Sequence, residues 1–315
     1  MTTLDRTAVI AIGGNALSPA GERSTIGDQF RHTRSSLGPI VDLALDGWHV
    51  VVVHGNGPQV GDELLRNEKA RSEVPPMPLG VLVAATAGWI GYMLQQSLEN
   101  ALRNAGSSRD VVTVLTQVEV AEDDPALKNP KKFIGRGLSA ARAKELRSQG
   151  HPVTKDAKGN FRRVVGSPRP LVVHELETIK TLIARDAVVI ACGGGGIPVY
   201  RDKVLGLEGV DAVVDKDLAA AVLAQALEAE LFLILTDVDA VYTGWGTEAQ
   251  RAIPSLTVAE ADRLASEGAF GEGSMGPKIR AATDYVRHTR GRAIITELSK
   301  GRDAVHGTGG TQIIP

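Results

Sequence analysis

Lys216 stands in the string Val213-Val214-Asp215-Lys216-Asp217-Leu218, ahead of an alanine-rich run that reads as a helix. A lysine bracketed by two carboxylates at a strand-to-helix turn is fixed in space and kept charged. Such a group can neutralise charge on a transferring anion, with the Asp217 carboxylate orienting Lys216 or sharing a metal ion. A second lysine, Lys278, lies in Gly273-Ser274-Met275-Gly276-Pro277-Lys278, a flexible turn opening a helix that can carry it to phosphates. Glycine-rich turns accompany both lysines, and their backbone N–H groups can approach phosphate oxygens. Together these residues read as parts of an enzyme that moves a phosphoryl group, where positioning and charge supply most of the catalysis. The competing reading of Lys216 and Asp217 is a surface salt bridge.

The glycine turns differ in weight. Gly13-Gly14-Asn15 follows the first apolar run; its N–H groups and the Asn15 amide could hold an anion, although two glycines after a strand often only make a turn. Gly55-Asn56-Gly57-Pro58-Gln59-Val60-Gly61 links a strand to a helix, so its N–H groups point at a ligand near the positive helix end. It is not the dinucleotide fingerprint, because three residues rather than two separate its last glycines. His54 before it reads as a packed strand-end residue. Gly193 to Gly196 is a third backbone-only surface, and four successive glycines carry an entropic cost that demands a steric reason such as phosphate approach. The neighbouring Cys192 reads as an inert buried thiol. In Leu235-Thr236-Asp237-Val238-Asp239-Ala240-Val241-Tyr242, Thr236 and Asp237 could touch a nucleotide and Tyr242 could line its base or ribose. No P-loop of the form Gly-x-x-x-x-Gly-Lys-Ser/Thr is present, so this is not a Walker ATPase.

These turns need elements to hold them. Apolar runs at Val9–Ile12, His49–Val53, Val111–Leu115, Ala187–Ala191, Leu231–Leu235 and Ala293–Ile295 read as strands, several of them ending in glycines. Helical segments separate them. One carries Ile40, Val41, Ala44 and Leu45, with Pro39 kinking it or beginning its last part and Gly47 as its cap. The expected class is therefore α/β: a three-layer αβα sandwich around a mostly parallel open sheet. Ligands bind beyond the C-terminal strand ends of such sheets, where these glycines fall. The uncharged stretch Val74–Leu98 is long enough to suggest a membrane span, but Pro75, Pro76 and Pro78 break its front and Gln95 and Gln96 make its end polar. It reads as a buried helix whose small residues pack on a sheet or on a second subunit. Residues 117–170 are rich in Lys, Arg, Asp, Pro and Gly and read as a protruding lid, or else as a decorative excursion. Thr257-Val258-Ala259-Glu260 has the form of a capping box.

The bulk numbers exclude several classes. With 315 residues, 43% hydrophobic and 23% charged, the chain has material for one large α/β domain or two lobes. Aromatic residues at 4% leave little for stacking on nucleic acid, and a net charge of −2 gives no footprint for nucleic acid or anionic membranes. One cysteine rules out an intrachain disulfide and a cysteine-based metal site, which suits a cytoplasmic setting. The polar start, Met1 to Thr7, leads straight into a strand, so no signal peptide is expected.

Taken together, the motifs resemble the amino-acid-kinase superfamily, through Gly13-Gly14-Asn15-Ala16-Leu17, the Leu-Thr-Asp-Val-Asp string from Leu235 to Asp239, and Met275-Gly-Pro-Lys278. Within it they resemble the carbamate kinases, through His54-Gly-Asn-Gly-Pro-Gln-Val-Gly61, Ile90-Gly-Tyr-Met-Leu-Gln-Gln96, Thr113-Val-Leu-Thr-Gln-Val-Glu-Val120, Asn129-Pro130 with Lys132, Arg162-Arg-Val-Val165 and Val214-Asp-Lys-Asp217. The likeness runs from Val9 to Ile314. It implies an open αβα sandwich whose N-terminal lobe (about 1–205, with the lid at about 117–170) binds carbamate or carbamoyl phosphate, and whose C-terminal lobe (about 206–315) binds ADP or ATP. It implies the reversible reaction ATP + carbamate ⇌ ADP + carbamoyl phosphate with Mg²⁺, a place in arginine metabolism, and a homodimer. Carried over residue by residue, Lys132, Lys216 and Lys278 would be the charge-stabilising lysines, with Asp217 organising the last two. Gly13, Gly14, Asn15, Gly55, Asn56 and Gly57 would hold the acyl phosphate. Gly195, Thr236, Asp237, Val238, Tyr242, Met275 and Lys278 would contact the nucleotide, and no residue is assigned to a resident metal.

Two departures stand out. Thr86-Ala87-Gly88 occupies the place of the usual Ser-Gln-Gly, and the lid reads Lys131-Lys132-Phe133-Ile134-Gly135-Arg136 where Lys-Pro-Ile-Gly-Pro is common. A kinase of another small acid or phosphonate, and a non-catalytic binder of nucleotide or metabolite, are the alternatives. The convergence of lysines argues against the second, since binding alone needs charge complementarity but not so many of them.

Overall fold

The apolar runs become strands because continuous Val, Ile and Leu can be buried on both faces of a sheet. The computed structural model describes residues 6–18, 25–156, 158–271 and 275–315. Its main sheet contains β1 (Thr7–Ile12), β2 (His49–His54), β3 (Val111–Thr113), β4 (Val188–Ile190), β5 (Leu231–Thr236), β6 (Ser255–Thr257), β7 (Arg292–Glu297) and β8 (Thr311–Ile314). The spatial order is β6-β8-β7-β5-β1-β2-β4-β3. Every pairing is parallel except β7 with β8. Register sets Ile12 beside both His54 and Leu235, so Gly13, Gly55 and Thr236 emerge together at one sheet edge.

Side chains alternate across the sheet into two cores. Val9, Ala11, Val51 and Phe232 face one side; Ile10, Ile12, Val52 and Leu233 face the other. Five helices position the site: α1 (Gly14–Leu17), α2 (Gly57–Ala70), α3 (Leu79–Asn104), α4 (Lys216–Ala226) and α5 (Met275–His288). Ile90, Met93 and Leu94 of α3 are completely buried in the second core. Burying each such side chain is worth about 1.5–3 kcal/mol. Ala219, Ala220 and Ala224 of α4 and Ala281 and Ala282 of α5 let these helices pack closely over the first core. The result is the expected three-layer α/β sandwich around a largely parallel sheet.

Several local expectations are met. Gly47 follows the end of the helix Gly38–Leu45 at φ +81°, whereas Pro39 lies in its first turn and so starts this helix instead of kinking a longer one or opening its last part. The Thr257 hydroxyl accepts from the Glu260 N–H at 3.2 Å, and the Glu260 carboxylate accepts from the Thr257 N–H at 3.0 Å. The uncharged stretch begins its helix only after Pro78 and runs on to Asn104. Among the described residues no helix is long and apolar enough to cross a membrane.

Other details differ. β3 stops at Thr113 rather than Leu115. Residues 117–170 contain more regular structure than their polar composition suggested. Gln117–Val120 and Pro170–Val173 join Ile197–Asp202 and Gly206–Gly209 in a four-stranded sheet. Between the first two lies a separate three-stranded sheet, Lys132–Leu138, Phe161–Val165 and Val153–Lys155, with the helix Ala140–Ser148. These strands are short and half-exposed, so they lack the continuous apolar runs that mark the main sheet.

Candidate active site

Asp215 explains how the central lysine is set. It caps α4, with its carboxylate accepting from the Asp217 N–H at 2.9 Å. Lys216 therefore occupies the first position of a helix whose N-terminal end is partially positive. Lys216 Nζ donates to one oxygen of Asp217, and Lys278 Nζ donates to the other at 3.1 Å. Asp217 is only 3% exposed, so one buried carboxylate holds two nearly buried ammonium groups. From the lid, Lys132 Nζ donates to the second oxygen of Asp215 at 2.7 Å.

The charge states follow from these contacts. Burial works against the Lys216 charge and holds its pKa below the ordinary lysine value, with Asp217 partly offsetting it. At Lys278 burial is outweighed by Asp217, with help from Asp215 and Asp237, and the pKa rises. Burial would raise both aspartates, but Lys216 and Lys278 hold Asp217 low, and Lys132 above all holds Asp215 low. The site thus keeps its carboxylates ionised and presents lysines to anything entering.

What enters is anionic by this logic, and there is room for it. A cavity of about 230 Å³ is bordered by Gly13, Gly14, Gly55, Asn56 and Gly57 on one side and by Lys132, Lys216, Asp217 and Lys278 on the other. Gly14 and Gly57 stand at helix starts, where N–H groups have no intrahelical acceptor. The N–H groups of Gly13 and Gly55 are differently used: they donate to Leu235 O at 3.3 Å and Ile12 O at 3.1 Å and extend the sheet. These two glycines border the cavity, as expected, but their N–H groups are taken up within the sheet. Asn56 is buried and donates to the Thr86 hydroxyl at 2.9 Å, leaving the α2 start without a side-chain cap. The Asn15 backbone belongs to α1, while its side chain lies outside the described residues, as do Gly273 and Ser274.

A second cavity, also about 230 Å³, adjoins the first and shares Thr236, Asp237 and Lys278 with it. Val238, Tyr242 and Met275 border it, so six of the seven residues expected to contact nucleotide are brought together. The Tyr242 hydroxyl donates to Asp239 at 2.7 Å, which fixes the ring. Gly195 borders neither cavity. It is buried with φ +95°, and a Cβ there would come within 2.3 Å of the Val214 carbonyl. Gly193 and Gly196 are likewise pressed against His54 and Val118, so the steric reason for this glycine run is the protein's own packing; Gly194 alone also borders the first cavity.

His54 is fully buried with its pKa pushed down to about 4 by burial, hence neutral, in keeping with a packed strand-end residue. Burial pushes the Cys192 thiol up, so it is unreactive. Sequence reasoning missed three participants. Asp215 was visible only as a flanking carboxylate, although its place before a helix marked it as a cap. Phe133, beside Lys132, borders the first cavity. Trp245 borders the second, its ring 5.4 Å from that of Tyr242, and a bare aromatic three residues after Tyr242 was its only signal.

Comparison with known proteins fits this geometry. The profile of the Amino acid kinase family matches residues 6–297. The chain is 42% identical over 310 residues to the carbamate kinase of Pyrococcus horikoshii, spanning 98% of each. It belongs to the amino acid kinase family, among the carbamate kinases. The structure of carbamate kinase from Giardia lamblia bound to citric acid superposes with a TM-score of 0.93 at 40% identity, covering 98% of both chains. The same Giardia enzyme bound to AMP-PNP gives 0.89 at 39% identity, again with 98% of both chains covered. As an amino acid kinase, the chain is an enzyme of the transferase class, and its two adjoining cavities meet at Thr236, Asp237 and Lys278.

Proposed function

We propose that this enzyme catalyses ATP + carbamate ⇌ ADP + carbamoyl phosphate and runs mainly towards ATP. The observation that carries the reading is the convergence of Lys132, Lys216 and Lys278 on one cavity, with Lys278 also bordering the adjoining one. Carbamoyl phosphate occupies the cavity edged by Gly14, Asn56 and Gly57, in the lobe of residues 1–205. ADP occupies the cavity of Thr236, Val238, Tyr242 and Met275, in the lobe of residues 206–315. A terminal oxygen of ADP attacks the phosphorus in line; the bond from phosphorus to the carbamate oxygen breaks, and carbamate leaves with both electrons of that bond. Charge spreads over the equatorial phosphoryl oxygens, where the three ammonium groups oppose it. Carbamate offers few contacts of its own, so binding energy comes from phosphate and nucleotide.

Mg²⁺ enters as part of the nucleotide substrate. Among the described residues no group of three or more His, Cys, Asp or Glu side chains is arranged to hold a metal, and Asp217 is engaged by two lysines. A cation that keeps several waters and binds mainly through phosphates suits such a site. The closed lid excludes water from an unstable acyl phosphate. We also infer a cytoplasmic homodimer with no nucleic-acid or membrane partner, working in arginine breakdown.

The test is ATP formation from carbamoyl phosphate and Mg·ADP by purified protein. Wild type should produce ATP, and Lys216→Ala should lose about 10²–10³-fold in kcat, the scale of one preorganised charge or donor, while still binding ADP. No ATP from wild type that binds ADP would sink the substrate assignment and direct attention to Ala87 and the lid. Unchanged turnover in Lys216→Ala would remove that lysine from the chemistry.

A further inference from the structure

The lid is fastened to the body at a point far from the chemistry. Glu68, near the end of α2, accepts from Arg142 on the lid helix and from Arg163 on a lid strand. All three side chains are half-buried at 16–21% exposure. Arg163 pairs across the strand with Ile134, two residues from Lys132. One carboxylate thus ties both layers of the lid to α2 and sets the strand that delivers Lys132 to Asp215. Apolar packing at this seam is modest: Ile134 and Val165 meet Val60, Leu82, Val83 and Val213, and beside them a cavity of about 330 Å³ separates lid from helix. Beside that gap the Glu68 contacts act together with the close Gly61–Gly135 backbone approach and the Arg136–Asp62 pair in orienting the lid.

We propose that Glu68 is a positioning residue for phosphoryl transfer, latching the lid through Arg142 and Arg163 so that Lys132 reaches the transferring group. This deepens the function proposed above and rests on Lys132 acting in that reaction. Glu68 touches neither cavity of the active site, so its effect passes through the lid strand. Removing its charge leaves Arg142 and Arg163 without their shared partner, and the strand carrying Lys132 loses one of its ties to α2, the Arg136–Asp62 pair remaining. Misplacement of a catalytic group by about 1 Å can cost on the order of 10²-fold.

The test is a double-mutant cycle on kcat for ATP formation, with Glu68→Gln, Lys132→Ala and the combined variant. Glu68→Gln should lower kcat about tenfold or more, with KM for ADP changed by less than about twofold, and Glu68→Asp should restore part of the loss. In the Lys132→Ala background, Glu68→Gln should change kcat by less than about twofold, because the group it positions is gone. An undiminished loss in that background, or no loss in either, overturns the proposal. If Glu68→Gln fails to fold, the pair Arg142→Gln and Arg163→Gln is read in the same cycle from the lid side. If wild type makes no ATP, the reaction assignment has failed, and hydrogen exchange of amides 132–138 then reads the latch. Faster exchange in Glu68→Gln than in wild type supports it, and equal exchange overturns it.

Discussion

At the scale of single residues, Asp217 has the largest consequence. Among the described residues it is the one carboxylate to which both core lysines donate, and it is buried. Asp217→Asn removes the charge while keeping the shape, and leaves Lys216 and Lys278 to repel each other in a poorly hydrated place. Taking away one partner of a buried ion pair costs about 3–5 kcal/mol. Thermal unfolding should show a loss of that order, and kcat should fall as the lysines turn aside; a variant as stable as wild type would contradict the structural role given to this residue. The pH dependence has a definite sign. Asp217 titrates below its ordinary value in the folded protein. Its contribution is present above the unfolded carboxyl pKa of about 3.9 and is lost as pH falls through the lower folded value. Asp217→Asn should lack that part of the acid limb.

At the scale of elements, the lid strand also meets α2 backbone to backbone. A Cβ on Gly61 of α2 would fall 2.0 Å from the Gly135 α-carbon, and Gly135 itself has φ +67°. The lid strand therefore rests directly on the helix, and the Arg136–Asp62 pair at 3.2 Å lies beside the contact. Gly61→Ala must push the lid away from α2. Lys132 then withdraws, while the second cavity, lined by residues from Thr236 to Lys278 and by none of the lid or α2, is untouched. We expect kcat to fall by about 10²-fold, the cost of displacing a catalytic group by an ångström, with little change in the Kd for ADP from calorimetry. Equal losses in both would show that the lid also supports nucleotide binding. None of this was legible in the chain: Gly61 was visible as the end of a glycine-rich turn, but nothing paired it with Gly135.

At the scale of the whole molecule, α3 presents two faces. Its inner face packs on the sheet through Ile90, Met93, Leu94 and Leu98. Its outer face carries Val81, Ala85 and Tyr92, spaced for one side of a helix, with Leu115 beside Gly88. Val81, Tyr92 and Leu115 are each about half exposed, a stripe of apolar surface that the inferred second subunit would cover. Sedimentation equilibrium should give the mass of two 33.2 kDa chains for wild type. Ala85→Arg with Tyr92→Glu should shift it to one chain. A monomeric wild type would rule out the dimer, and a dimeric double variant would move the interface elsewhere.

The sequence by itself determined six of the eight strands of the main sheet, several of the helices between them, and the charged setting of Lys216 between Asp215 and Asp217; Ser255–Thr257 and Thr311–Ile314 were not read as strands. Those signals are local: β1, β2 and β5 are unbroken apolar runs, and a lysine between two aspartates states its charge environment in three residues. Only the tertiary structure decided who meets whom. It brought Lys132 across 83 positions to Asp215 and Lys278 across 61 to Asp217. It also engaged the N–H groups of Gly13 and Gly55 in the sheet and turned the Gly193–Gly196 run to packing against its own neighbours. Pairings at such separations depend on strand order and on close contact between backbones, and no local pattern of residue types records either.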